Sequence, residues 1–477
     1  MKEFFSSRVE SYIMLDAEVI VEKFLETKLQ VHPEVVRFIR EQNDPSLIEK
    51  IISSIPVDTI VVSVHHIPAI SGECDGARFN ADPHIEIISG LGGTQGSTNI
   101  DNYLHLFRDR YQKLGGIIKS RFNAMPIEGL TSSKRYLNVE CSLVGMTGEV
   151  RTTTNGHRLI DLEDTTGKIS VLFNKNNDGF KEAVVLIPDE VIGVRGTLSG
   201  DGRIFFADTL YRPDIPHNNA PFKSKFPGKA ALISDIHVGS NTFLEEAWNN
   251  FLEWLSKSEI SYLLVAGDLV DGIGIYPGQE HELCIPNIYA QYARLGEMFC
   301  SVPKRIKVIL SPGNHDVVRG AEPQPAIPEE FRKKFPDNCT FVENPAIISL
   351  QGVRVLMYHG RSIDDLIGLI PGASYQKGGN MMEAMLKRRH LAPIYGRKTP
   401  IAANYDDSLI INPIPDVIHT GHIHISATTE YRGVIGINAG TWQAQTAFQK
   451  QMNIQPTPGK AVVLDLQTLS YDMLDFN

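Results

Sequence analysis

An α/β domain set behind a small β-barrel, with a helical segment at the N-terminus, is the fold class the sequence predicts, and three observations predict it. From residue 228 onward short apolar runs recur: Ala230–Ile233, Leu263–Ala266, Val308–Leu310, Val355–Tyr358 and Val417–Ile418. Each ends in a polar cluster, and helical stretches such as Leu244–Leu255 and Ile288–Phe299 separate them. Runs that are apolar at every residue are strands buried on both faces. Between residues 135 and 212 the apolar period is two instead, which marks half-buried strands. Between Ala17 and Arg40 the apolar residues Val19, Ile20, Phe24, Leu25 and Leu29 fall at helical spacing.

The elements follow in order. Residues 1–69 are expected to be a small helical region. Within residues 1–60 stand 7 basic and 11 acidic side chains, so the region is acidic; it reads as a solvated helical domain or a docking module for a partner. Residues 70–98 are rich in Gly, Ser, Asn and Asp with no lasting period, and are expected to be a linker. Residues 99–130 hold a connecting helix, capped by Ser97 or Asn99, with Tyr103, Leu104, Phe107, Tyr111 and Leu114 as its apolar stripe. In residues 131–215, Leu137, Val139, Cys141 and Leu143 alternate with polar residues. Further strands at Ile160–Leu162, Ile169–Phe173, Val191–Leu198 and Ile204–Leu210 are joined by turns at Asp164–Gly167 and Gly200–Gly202. About five short strands in so short a span predict a closed barrel of the OB-fold type. Its aromatics, Phe173, Phe180, Phe205, Phe206 and Tyr211, either stack on single-stranded bases or fill the core. Residues 216–477 form the α/β domain with a C-terminal extension.

Composition narrows the function classes. In 477 residues, 42% are hydrophobic and 21% charged, which excludes disorder throughout. The balance of 46 basic and 56 acidic residues gives −10, which argues against a protein that coats nucleic acid by bulk charge and leaves a DNA enzyme open. Five scattered cysteines without a CxxC pair read as reduced, buried or inert thiols. Acids stand too early for a signal peptide and no apolar run reaches the roughly 20 residues of a membrane span, so the chain is expected to be soluble and cytoplasmic.

Five polar clusters follow the apolar strands: Ser234-Asp235-Ile236-His237, Gly267-Asp268-Leu269-Val270-Asp271, Gly313-Asn314-His315-Asp316, Tyr358-His359-Gly360 and Gly421-His422-Ile423-His424. Sites in α/β sheets assemble at the carboxyl ends of strands, so five such loops can meet in one place. Imidazole, carboxylate and amide oxygen without thiolate suit Mn²⁺, Fe²⁺ or Zn²⁺. Seven ligating side chains are too many for one ion and right for two with a bridging carboxylate. An isolated Asp-x-His or His-x-His is usually structural; it is the conjunction of five clusters, each closing a buried strand, that argues for a site. His419 precedes the last cluster and is expected to orient ligands from behind or to pack.

The order DxH, GDxxD, GNHD, H, GHxH over residues 228–445 resembles the calcineurin-like metallophosphoesterases. That resemblance implies a two-layer β-sandwich flanked by helices and a pair of divalent metal ions. Asp235, His237, Asp268 and His424 are implied as ligands of one ion, and Asp268, Asn314, His359 and His422 as ligands of the other. His315 matches the catalytic histidine, and Asp271 is implied to stand behind the ligands. Manganese is the expected metal, with Mg²⁺, Fe²⁺ and Zn²⁺ also compatible.

The barrel directly before this domain, the DIHVGS opening, Asn99–Arg121, Gly440–Gln449 and Asn453–Gly459 are together similar to the small-subunit family of archaeal family-D DNA polymerases, over residues 99–477. This second resemblance implies a large catalytic subunit as partner, DNA as substrate with single-stranded 3′ ends preferred, a place on the nucleoid and no membrane. The unbroken ligand set favours an active 3′–5′ exonuclease, in which metal-activated water attacks a phosphodiester and His315 assists the leaving oxygen. A scaffold subunit without catalysis and a stand-alone phosphoesterase acting on nucleotides or phosphoproteins are the alternatives. For DNA contacts, residues 361–400 hold 7 basic side chains (Arg361, Lys377, Lys387, Arg388, Arg389, Arg397, Lys398) against 3 acids. They read either as a solvated helix face or as a phosphate-tracking patch, with Ser374, Tyr375 and Lys377 in a loop over the strand. The segment from Trp442 to Phe448 reads as core or as partner surface.

Overall fold

The computed structural model describes residues 17–27, 29–42, 46–54, 61, 62, 85–89 and 100–477. The chain divides into two compact units, Met1–Asn80 and Ala81–Asn477, so the division falls inside the stretch expected to be a linker. The proposed caps Ser97 and Asn99, and Cys74, lie outside the described residues.

In the first unit the helical periodicity is interrupted. Helices Ala17–Glu26, Pro33–Gln42 and Ser46–Ser54 surround a short parallel pair, Gln30–Val31 with Val61–Val62. Proline without an N–H and with its φ preset opens the second helix at its first position. Ile20, Phe24, Val35, Ile39 and Ile51 form a small buried core. Val19 and Leu25, expected in the stripe, are 48% and 55% exposed, because ten residues of helix offer one inward face and Ile20 and Phe24 occupy it.

The second unit holds the barrel and the sandwich. Strands Glu140–Thr152, Arg158–Glu163, Lys168–Phe173, Ile204–Tyr211 and Val191–Leu198 close in that order into a five-stranded barrel. Phe173 and Phe205 are buried in its core and Phe180 packs against it. Phe206 points out, 43% exposed, because it is one step along the same strand from Phe205. Tyr211 packs on Phe122, ring centroids 4.8 Å apart.

The sandwich is two six-stranded sheets. One runs Cys339–Phe341, Lys307–Ser311, Tyr262–Ala266, Lys229–Ile233, Lys460–Asp465, Tyr471–Asp475, with its first four strands parallel. The other runs Ala427–Tyr431, Val434–Asn438, Val417–Thr420, Val353–Met357, Ala346–Leu350, Ile85–Ser89. Strand alternation sorts the side chains. Ala230, Leu232, Tyr262, Leu264 and Ile309 face the other sheet, while Ala231, Ile233, Leu263, Val265, Val308 and Leu310 pack on Trp248, Phe251, Tyr292 and Phe299 of the outer helices. Helices Ile363–Leu369 and Gly378–Arg388 cover the outer face of the second sheet. Ile85–Ser89, inside the expected linker, is an edge strand of that sheet, antiparallel to Ala346–Leu350.

Helix Ile100–Lys119 lies between barrel and sandwich. Tyr111, Leu114 and Ile118 join Val144, Met146 and Val191 of the barrel, and Leu106 joins the sandwich core. Leu104, expected in the stripe, is 52% exposed, and Arg110 occupies a buried position instead. Its Nε lies 2.6 Å from Asp407 Oδ2. A second buried junction centres on Glu190, whose carboxylate accepts from Arg212 Nε at 2.5 Å and Arg388 Nε at 3.0 Å. The basic run 361–400 is therefore not a single face. Arg388 and Arg389 are buried in the protein's interior, Lys387 pairs with Glu383, and Arg397 and Lys398 are exposed. Among the described cysteines none is buried: Cys284 and Cys300 are exposed and Cys141 and Cys339 half-buried, all as free thiols. No helix among the described residues is long and apolar enough to cross a membrane.

Candidate metal centre

Parallel neighbouring strands carry their C-terminal ends to one edge, and the five clusters begin there. Lys229–Ile233, Tyr262–Ala266 and Lys307–Ser311 deliver the first three; Val353–Met357 and Val417–Thr420, parallel partners in the facing sheet, deliver the last two. The loops lock to each other through their backbones. Asp235 N–H donates to Gly267 O, His237 N–H to Asp268 O and Gly421 N–H to His359 O, at 2.8 to 3.1 Å. Asp235, His237, Asp268, His422 and His424 all have positive φ, between 48° and 71°, a left-handed turn by which each chain leaves its strand toward the common point. Two glycines permit the crowding. A Cβ on Gly313 would collide with the Asp268 carboxylate and the His359 ring, and one on Gly421 with the Asp235 carboxylate.

The expected residues come together. Potential ligand atoms of Asp235, His237 and His424 lie within 4.8 Å of one another, as do those of His237, Asp268 and His315, and those of Asp268, His359 and His422. Asp268 is central. Its Oδ2 lies 3.2 Å from His359 Nε2, 3.7 Å from His237 Nε2 and 4.0 Å from His315 Nε2. Its Oδ1 accepts from the His315 backbone N–H at 2.8 Å. Asp235 Oδ1 lies 3.4 Å from His424 Nε2. Asn314 Oδ1 lies 3.0 Å from His359 Nε2.

Whether these residues fit cations can be tested on proton positions. His359 Nδ1 lies 3.0 Å from the carbonyl of Ala266 and His237 Nδ1 3.0 Å from Asp271 Oδ1. Carbonyl and carboxylate oxygens only accept, so both Nδ1 atoms carry a proton and Nε2 is the nitrogen each ring turns to the pocket. His359 Nε2 faces Asp268 Oδ2 and Asn314 Oδ1, and His237 Nε2 faces His424 Nε2 at 3.0 Å and Asp268 Oδ2 at 3.7 Å. Carboxylate oxygens, an amide oxygen and imidazole nitrogens turned to one buried point form a donor set that fits divalent metal ions in mixed nitrogen and oxygen coordination.

The carboxylates and imidazoles hold one another in their charged forms. Burial opposes the Asp268 charge, yet the imidazoles of His359, His315 and His237 outweigh it and hold the carboxyl well below the usual range. Burial would lower His359, but the carboxylates of Asp268 and Asp235 push it up to about 10. Asp316 is pushed up to about 6 by burial and the charge of Asp268. Its Oδ2 accepts from the backbone N–H of Leu269 and Gly313, and so ties the second cluster to the third.

His315 Nδ1 donates to the Asp271 carbonyl at 2.8 Å, leaving Nε2 toward the cavity. Its side chain is 16% exposed, while those of His237 and Asp268 are sealed beneath it. His419 is a core residue. It is fully buried, its Nε2 lies 3.0 Å from the carbonyl of Ile233, and burial pushes it down to about 4.

Four residues complete the site that spacing alone did not single out. Asp364 Oδ2 lies 3.5 Å from His422 Nε2, and its Oδ1 accepts from Tyr375 OH at 2.8 Å. Gln449 Nε2 lies 2.8 Å from His424 Nδ1. Gln443 and Gln279 both donate to Asp271 at 3.1 Å. The stretch Trp442–Phe448 is thus mixed: Trp442 is buried, 5.2 Å from Trp248, Gln443 supports the site, and Phe448 is exposed. Tyr375 opens a short 3₁₀ turn, Tyr375–Lys377, at the rim of the cavity.

Comparison with known proteins places these features in a lineage. Residues 230–428 match the DNA polymerase alpha/epsilon B-subunit family. The chain is 46% identical over 393 residues to the DNA polymerase II small subunit of Archaeoglobus fulgidus, covering 80% of this chain and 78% of that one. It is 43% identical over 386 residues to the protein of that name from Methanothermobacter thermautotrophicus, covering 77% and 78%. Against that of Halobacterium salinarum it is 41% identical over 412 residues, covering 84% and 81%. A solved archaeal phosphodiesterase aligns at 14% identity over 52% of this chain and 98% of its own, with a TM-score of 0.28, too slight a likeness to argue from.

Proposed function

This chain belongs to the family of archaeal DNA polymerase II small subunits, and on that premise we propose that it carries a metal-dependent 3′–5′ exodeoxyribonuclease serving a large polymerase subunit. The observation that carries the reading is the complete donor set, with Nε2 of His237 and of His359 turned toward Asp268. A site kept only as scaffold has no need of so many buried carboxylates and imidazoles turned to one point.

Asp235, His237, Asp268 and His424 would hold one divalent ion and Asp268, Asn314, His359 and His422 the other, with Asp268 shared. Such ions, when bound, supply a nucleophile from water near neutral pH and neutralise a phosphodiester. Manganese is the ion proposed, and magnesium, iron and zinc are the competing identities. Asp271 keeps the His237 proton on Nδ1, and Asp364 and Gln449 hold His422 and His424 in place. His315, with Nδ1 anchored, turns Nε2 to the site and as the imidazolium would protonate the leaving 3′ oxygen, so that a 5′-mononucleotide departs. The closed barrel, read as an OB-fold, would guide the single strand, and the assembly would work on the nucleoid in the cytoplasm.

The test is direct. The full chain with Mn²⁺ should shorten 5′-labelled single-stranded DNA from its 3′ end and release 5′-mononucleotides. His315→Ala should slow this by about 10²–10⁴-fold, and Asp268→Asn should abolish it together with metal binding. Full activity in His315→Ala would remove its catalytic role. Hydrolysis of small phosphate esters without DNA would favour the stand-alone phosphoesterase, and no hydrolysis at all would leave the scaffold. Recovery of a large polymerase subunit with the chain from native extract tests the partnership.

A further inference from the structure

One wall of the cavity over the metal donors has a different character from its floor. The floor is His237, Asp268, His315, His422 and His424; the wall includes Ile423, Phe448, Met452 and Ile454. Phe448 and Met452 belong to the turn of helix Ala447–Gln451 and its C-cap. Spaced i and i+4, they share a face, and they are 58% and 53% exposed. Gln449, the next residue along that turn, is buried and reaches His424 Nδ1. The helix thus joins an exposed apolar face to a metal-donor histidine through adjacent residues.

The other aromatic rings of the lining are already committed. Tyr276 OH donates to Glu282 at 3.0 Å and Tyr375 OH to Asp364 at 2.8 Å. Phe448 makes no ring contact within the described protein of the kind that orders Trp442 with Trp248 and Phe251. A large apolar side chain left in water beside a phosphate-binding floor costs hydrophobic free energy that an occupant would recover. The occupant must be flat and apolar on one face and joined to a phosphate. Lys398 is the cation of the lining apart from the histidines, so one further phosphate can be met there.

We propose that Phe448 and Met452 form a platform for the terminal nucleobase of the DNA strand, so that the 3′ residue is held by stacking while its phosphodiester lies over the metal donors. This rests on the exonuclease reading above. The platform offers an aromatic face and a polarisable thioether and no directed hydrogen-bond donor, so it accepts any base. A base still paired in a duplex cannot reach it without unstacking. The platform therefore selects frayed or mismatched ends, where that cost is least.

The test compares two single strands that differ only at the 3′ end, one with a normal nucleotide and one with an abasic residue. With Mn²⁺ the native full chain should cleave the normal end about 5- to 150-fold faster, mainly through KM, which is what stacking on an aromatic ring is worth per base. In Phe448→Ala that ratio should collapse toward one, and in Phe448→Trp it should be kept. An unchanged ratio in Phe448→Ala, or no preference in the native chain, overturns the platform while the exonuclease stands. A second measurement covers the case of no cleavage, which would sink the exonuclease reading itself. A strand ending in 2-aminopurine, bound with Ca²⁺ in place of Mn²⁺, should be quenched by the native chain and not by Phe448→Ala. Quenching without cleavage keeps the platform alone, and absence of both overturns the two together.

Discussion

Asp271 Oδ1 lies 3.0 Å from His237 Nδ1, with both side chains sealed from solvent, and the same carboxylate is held by Gln443 and Gln279. The proton of His237 is thereby fixed on the nitrogen that faces away from Asp268. Asp271→Asn presents an amide that can turn its NH₂ toward the ring and reverse that choice. We expect metal affinity or activity to fall about 10- to 100-fold, the usual effect of removing such a support. Titration of the variant with Mn²⁺, followed by calorimetry, checks it; native affinity would refute the role given to Asp271.

Gly313 has no room for a side chain, because the Asp268 carboxylate and the His359 ring occupy the space. Gly313→Ala should displace one of them, abolish nuclease activity and lower the apparent melting temperature. A variant with native activity and native melting would mean that the loop has slack the geometry does not show.

The junction at Glu190 makes a prediction about stability. Its buried carboxylate serves Arg212 of the barrel end and Arg388 of the sandwich helix. Glu190→Ala leaves two buried guanidiniums without their shared partner, and breaking a buried pair in this way costs about 3–5 kcal/mol. Urea unfolding measures it, and a cost under about 1 kcal/mol would show that water enters to replace the carboxylate.

Asp407 supplies a pH dependence. Burial opposes its charge, but Arg110 and His390 outweigh it and hold the carboxyl well below its usual value. In the unfolded chain its pKa is about 3.9. The folded value is the lower one, so this stabilisation is complete above about pH 4 and is lost as the pH falls through the folded pKa. In Asp407→Asn the acid-side decline of stability should be shallower than in the native chain, from a lower plateau at neutral pH. Melting curves in strong acid and at pH 7 separate the two effects; an identical acid limb would remove Asp407 from the account.

Much of this was legible in the sequence because the signals were redundant. Lys229–Ile233, Tyr262–Ala266 and Lys307–Ser311 are apolar at nearly every position since both faces are covered, and each hands its chain to a cluster that cannot serve as a turn alone. The barrel's strand periods were equally plain. What was not legible depends on contacts far apart in sequence. Asp364 holds His422 and Gln449 holds His424 from separate segments, and glutamine has no spacing rule that marks it. Arg388 and Arg389 looked like surface charge because burial of a cation depends on a partner, and Glu190 is 198 residues away from Arg388. Leu104 misled because helix Ile100–Lys119 is clasped on two sides, so no single stripe describes it.

Five of the residues that converge on the metal centre, Asp235, His237, Asp268, His422 and His424, hold the left-handed backbone conformation. For side-chain-bearing residues this costs roughly 1–2 kcal/mol apiece. Function and folding therefore pull against each other at these positions. Glycine or asparagine would hold the same backbone at lower cost, so replacement of these residues is energetically downhill. The intact set is kept against that cost.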